Sequence, residues 1–161
     1  MPFTEFNYEN AVLELFRGMG YTYLYGPNVE RDYRCPLLLS KLKDSLCRLN
    51  PSLPGDAISD AMYRLQNFEA GSLTQKNEVF MDYLQNGVPV KYTVKGEERS
   101  GICCLLDYVH PEKNRFVVAN QWTFIEHSEK RPDVMLFVNG LPLVLMELKS
   151  PSREETDASA A

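Results

Sequence analysis

Two short segments near the end of the chain carry side chains that could do chemistry. Arg131-Pro132-Asp133 opens a predicted strand and sets a carboxylate at the rim of a sheet, and Glu147-Leu148-Lys149 closes the next apolar strand. Side chains two apart on a strand share a face, so Glu147 and Lys149 point the same way. A glutamate and a lysine at the end of Leu141-Pro142-Leu143-Val144-Leu145-Met146 are costly to bury unless they pair or bind an ion. Asp with Glu-x-Lys suits metal-assisted hydrolysis of a phosphodiester. Two carboxylates offer hard oxygen ligands to Mg2+, such an ion lowers the pKa of a bound water, and a lysine beside it offsets developing negative charge. The same residues also read as a Glu–Lys ion pair closing a strand, and so short a pattern does not decide between the two.

The turn between these strands governs whether the carboxylates can meet. If Asn139-Gly140 is a plain two-residue hairpin loop, Val138 pairs with Leu141 and Asp133 with Met146. Asp133 then faces away from Glu147. A bulge, or a twist of Asp133 off the strand's end, restores the common side. A shared site therefore predicts an irregularity between residues 133 and 147.

The elements that must hold these strands fall in two halves. The first reads as helical, over about 1–86. Phe6, Val12, Leu13, Leu15, Phe16 and Met19 recur near helical spacing after Thr4, a plausible cap, and Gly18 and Gly20 stop that helix. Residues 21–25 suggest a short strand, 37–49 a second helix, 54–67 a third that starts at Pro54, and 74–84 a fourth closed by Asn86-Gly87. From Val88 the period shortens to two, predicting strands over 88–94, 100–109 (apolar enough for burial on both faces), 115–126, 132–138 and 141–149. Ser152 and Glu155 form a capping box for a helix beginning at 152. The expected class is α+β, or mixed α/β: one domain over 1–161, with a mostly antiparallel or mixed sheet flanked by helices.

Composition narrows the function classes. The 161 residues are 44% hydrophobic and 24% charged, ordinary globular proportions. No apolar run approaches the roughly 20 residues of a membrane span, and residues 1–9 do not read as a signal peptide. The expectation is a cytoplasmic protein without a membrane partner. The four cysteines and two histidines lack zinc-site spacing. A net charge of −5 argues against binding nucleic acid through bulk positive charge. It does not exclude a nuclease, whose metal site itself needs carboxylates.

The residues around the two chemical segments extend the pattern. The run from Arg131 to Lys149 resembles the nuclease segment of the restriction (R) subunit of type I restriction–modification systems, with Phe137-Val138-Asn139-Gly140-Leu141-Pro142 especially similar. Asn120-Gln121-Trp122 resembles the family's Asn-Gln-aromatic strand. Asn86-Gly87-Val88, Asp107 and Asn114-Arg115-Phe116 fall in the family's order, and Glu9, twelve before Tyr21, resembles a position on its first helix. The resemblance implies a PD-(D/E)-x-K endonuclease domain using Mg2+, with Asp133 and Glu147 as metal ligands and Lys149 as the catalytic lysine. Glu9 matches a glutamate that approaches the metal or its water in many such nucleases; a solvated helix residue is the equal alternative. Gln121 is either an active-site neighbour or a structural amide.

By the same resemblance the substrate is duplex DNA. The partners are motor domains of the same subunit and the modification and specificity subunits, and ATP is used by the motor. No phosphate-cradling G-x-x-x-x-G-K-[ST] loop occurs here, and the chain ends before the family's Gln-x-x-x-Tyr motif, so it reads as the N-terminal nuclease piece of a larger protein. Arg31, Lys41, Lys43 and Lys130 are the candidate phosphate contacts. The alternative is a docking module of the restriction complex whose nuclease site is silent in isolation.

Overall fold

The computed structural model describes residues 5–69, 71–125 and 127–149. The expected cap Thr4 and the expected helix from 152 lie outside them. The described chain divides into two compact units, one holding its residues within 1–36, 116–137 and 142–149, the other residues 37–115 and 138–141.

In the first unit, helix α1 (Glu5–Gly18) is followed by strand β1 (Thr22–Tyr25). Strands β4 (Phe116–Asn120), β7 (Val134–Val138) and β8 (Leu141–Met146) join β1 in a four-stranded sheet of order β1-β4-β7-β8. β1 runs parallel to β4, with Tyr25 opposite Asn120. Arg115, just before β4, accepts a hydrogen bond from the Asn139 N–H just after β7 (2.8 Å), so β4 and β7 are antiparallel. The two-residue link to β8 makes that pair antiparallel too. The sheet is mixed and the fold is α+β.

α1 covers one face. Leu13 packs with Val118, Val134 and Leu136, and Val12, Phe16, Tyr21, Met146 and Leu148 close around them. Tyr21 sits against both Phe16 and Phe116, at ring-centroid distances of 5.0 and 5.2 Å. Phe6, Leu15 and Met19, expected on the apolar stripe, are exposed. On the other face Trp122 packs edge-on against Phe137, centroids 4.9 Å apart. Short strands β5 (Phe124–Ile125) and β6 (Glu129–Lys130) form a separate antiparallel pair.

The second unit holds α2 (Leu39–Leu49), α3 (Gly55–Gln66), α4 (Leu73–Asn86) and the hairpin of β2 (Val88–Val94) with β3 (Glu97–Cys103). The start of α4 is fixed by a capping box that the sequence reading missed. Ser72 Oγ accepts from the Gln75 N–H, and Gln75 Oε1 accepts from the Ser72 N–H.

Three expectations need correction. The strand expected over 100–109 ends at Cys103, and of β3 only Cys103 is buried. Asn50 stops it: its side chain accepts from the Cys104 N–H (2.8 Å) and donates to the Cys104 carbonyl (2.9 Å), leaving neither group for a ladder. The strand expected over 115–126 breaks after Asn120, where Gln121 turns left-handed (φ +52°). Nor does a helical front and sheet-bearing rear describe the sheet, because β1 belongs to it while β2 and β3 pair apart.

Candidate active site at one end of the sheet

The strand directions bring the chemically interesting residues to one end of the sheet. β1 and β4 finish there at Tyr25 and Asn120, β7 begins there after Asp133, and β8 finishes there before Glu147. Gln121, Asp133, Glu147 and Lys149 therefore lie just beyond the ladder at a single edge.

The hairpin reaches this arrangement through an extra residue. Asn139 and Gly140 both have positive φ (+53° and +90°), the backbone of a two-residue type I′ turn. Continued regularly, that turn sets Met146 opposite Asp133 and on the side away from Val134 and Leu136. Met146 and Leu148 instead pack into the Val134–Leu136 core. β8 has six residues to the five of β7, and Val144 and Leu145 are exposed in succession, which marks a bulge there. Asp133 and Glu147 each adjoin a residue turned to that core, so both leave their strands on the same side. Asp133 Oδ2 accepts a hydrogen bond of 2.6 Å from the Leu148 N–H, the amide between Glu147 and Lys149. Asp133 is half-buried, while Glu147 and Lys149 are exposed.

Glu9 occupies the same end on the α1 side. Its Oε1 accepts from Asn120 Nδ2 at 2.5 Å, and Asn120 Oδ1 accepts from the Tyr23 hydroxyl at 2.9 Å. Burial, then the Glu9 charge, raise the Tyr23 phenol above its ordinary pKa, against the pull of Arg17, whose guanidinium lies 5.9 Å from the ring centroid. Among the described residues no three His, Cys, Asp or Glu side chains gather as a metal cage. The structure thus brings Asp133 to the Glu147–Lys149 backbone but does not join Glu9 to them in a three-carboxylate set. Gln121 is fixed by its backbone, since a Cβ on Gly26 would lie 2.4 Å from its carbonyl oxygen. Asn120 stands out in the sequence only as the first residue of the Asn120-Gln121-Trp122 run, with no role of its own, and Tyr23 does not stand out there at all.

The candidate phosphate contacts separate clearly. Arg31 is turned inward: its guanidinium lies 3.7 Å from the Trp122 ring centroid and 4.6 Å from that of Tyr33, and it donates to the Thr123 carbonyl. Its Nε and Nη1 are buried without partners, and burial lowers its pKa. Lys43 and Lys130 are exposed and Lys41 half-buried. Beside the edge strand β8 lies an apolar groove of about 400 Å3, lined in part by Pro36, Phe124, Ile125, Met135 and Val144. No helix among the described residues is long and apolar enough to cross a membrane.

An α+β sheet with two carboxylates and a lysine at one edge defines a class that the comparisons narrow. The family described as the N terminus of the type I restriction enzyme R protein matches residues 2–161, and the chain belongs to that family. It is 33% identical over 92% of its length to the HindI type I restriction enzyme endonuclease subunit of Haemophilus influenzae. It is 28% identical over 94% to a Methanocaldococcus jannaschii chain provisionally named the MjaIXP endonuclease subunit. It spans 15% and 16% of the lengths of those two relatives.

Proposed function

We infer that this chain is the DNA-cleaving part of a type I restriction endonuclease, a PD-(D/E)-x-K domain that hydrolyses phosphodiester bonds of duplex DNA with Mg2+. The observation that carries the reading is the 2.6 Å hydrogen bond from the Leu148 N–H to Asp133, which ties the first carboxylate to the segment bearing Glu147 and Lys149. Two carboxylates with oxygens to spare fit Mg2+, which takes one or two carboxylates and keeps several waters. Asp133 and Glu147 would hold the ion. When bound, it would supply an acidified water and neutralise charge on the phosphate. Lys149, exposed at the same edge, would orient the attacking water and offset charge on the phosphoryl oxygens. The Leu148 amide engages one oxygen of Asp133, and the carboxylate's other oxygen would be available to such an ion. Lys41, Lys43 and Lys130 would meet the backbone phosphates. Motor domains of the same subunit, driven by ATP, and the modification and specificity subunits complete the assembly in this reading, in the cytoplasm.

The absence of a three-ligand cluster among the described residues, and the apolar groove beside β8, favour a second reading: a docking module whose nuclease site is silent alone. Asp133→Ala and Glu147→Ala in the intact complex separate the two. The expected result is loss of DNA cleavage and of calorimetric Mn2+ binding, with ATP hydrolysis retained. Lys149→Ala should keep Mn2+ binding and slow cleavage on the order of 100-fold. Cleavage at the normal rate by Asp133→Ala would sink the nuclease reading.

A further inference from the structure

The second unit carries a polar cleft of about 760 Å3 between α3 and α4, a size that suits a small ligand. Asp60, Tyr63 and Arg64 share one face of α3, and Lys76, Val79 and Tyr83 share one face of α4, so each helix supplies a wall. Phe68, from the link between them, lies nearly parallel to Tyr83, with ring centroids 6.1 Å apart and planes inclined by 26°. Tyr63 is 64% exposed, and α4 fully buries none of its side chains, so the aromatic lining is open. The charges divide into spent and unspent. Asp60 Oδ2 accepts from the Lys91 N–H (2.8 Å) and from Arg64 Nε (3.1 Å), which leaves the terminal nitrogens of Arg64 outside that pair. Lys76 is half-buried and enters none of the ion pairs among the described residues. Glu69, exposed, also lines the cleft and can only accept hydrogen bonds when ionised.

A ligand that answers this lining has a flat ring for the aromatic wall, an anion for Lys76 and Arg64, and hydrogen-bond donors for Glu69. A bare anion leaves the rings unused, and a purely apolar ligand leaves the cations unanswered. We propose that the cleft binds a nucleotide, its base laid on the rings of Tyr63, Phe68 and Tyr83 and its phosphate met by Lys76 and Arg64. Stacking of this kind tolerates any base, and cations meeting a phosphate form the stronger, charge-assisted class of hydrogen bond. A free nucleotide and one nucleotide of an unpaired strand offer the same chemistry. The proposal does not rest on the nuclease reading, since Asp133, Glu147 and Lys149 belong to the first unit.

The test is photolabelling of the full-length protein with azidoadenosine monophosphate, the attachment sites being located by peptide mass mapping. Mapping keeps any other nucleotide site of the protein out of the reading. Label is expected on the peptides of α3 and α4 that line the cleft, and excess AMP should protect them. Adenosine or inorganic phosphate alone should protect about tenfold less well, because each offers only half of the ligand. Tyr63→Ala and Lys76→Ala should each raise the AMP concentration for half-protection on the order of tenfold, with circular dichroism unchanged. Lys76→Arg, which keeps the charge, should restore it. Protection by a single-stranded deoxyadenosine oligonucleotide at lower concentration than AMP would assign the site to an unpaired strand, and the reverse order to a free nucleotide; either upholds the proposal. Absence of label between Asp60 and Tyr83, protection by adenosine equal to that by AMP, or labelling indifferent to both alanine substitutions would each overturn it.

Discussion

At the scale of single residues, two asparagines do unlike work. Asn139, fully buried and left-handed, donates to the carbonyl of Leu105 and to Asn114 Oδ1 while its own oxygen accepts from the Arg115 N–H. Truncation would strand buried donors and acceptors and remove a side chain suited to positive φ. Asn139→Ala should therefore cost about 2–3 kcal/mol in urea unfolding, measured as a lower midpoint at unchanged slope. Asn120 spans 111 positions to reach Glu9. No periodicity or local pattern encodes so distant a partner, which is why this pairing was invisible in the sequence. Asp133, Glu147 and Lys149 were visible for the opposite reason: charge at the end of an apolar strand is locally anomalous and so reads directly.

Among the elements, helices were read better than strands. α1 to α4 lie close to their expected places because amphipathic periodicity and Gly or Pro punctuation are local signals. Strand ends failed where distant groups intervened, as Asn50 does at Cys104 and Gly26 at Gln121. The second case can be tested. Gly26 is buried, and a methyl group there meets Gln121 O at 2.4 Å and Asn120 O at 2.9 Å, so backbone must yield. Gly26→Ala should destabilise the protein by about 1–3 kcal/mol and shift the emission of Trp122, the single tryptophan, which follows Gln121 directly. An unchanged spectrum and stability would show that the segment gives way freely.

For the molecule as a whole, the α+β class and the family were both legible, the first from the change of period near Gly87 and the second from the run between Arg131 and Lys149. The pairing of β1 with β4, some 95 residues apart by the register Thr22 to Val117, was not, because strand order leaves no mark on local composition. Stability as a property of the entire chain should respond to acid through Asp107. Its carboxylate is held below its ordinary range first by the His110 N–H, with the nearby charges of His110 and Lys113 and the Val109 N–H adding to the effect against a smaller desolvation penalty. A depressed folded pKa contributes stability above the unfolded value, about 3.9, and that contribution is lost as pH falls through the folded one. Asp107→Asn should thus melt below wild type at neutral pH, with the gap closing below about pH 4. A gap independent of pH would assign the loop's stability to something other than this charge.

The extra residue in β8 has a consequence for how the hairpin tolerates change. Side-chain direction there is a matter of phase, and phase depends on how many residues separate the turn from Glu147 rather than on which residues they are. Exchange of one aliphatic residue for another at Val144 or Leu145 keeps the count. Loss of a single codon in the same stretch would invert the outer half of the strand, turning Met146 to water and Glu147 toward the helix-covered side. The segment should therefore drift freely in composition while holding its length, a constraint of arithmetic laid over one of chemistry.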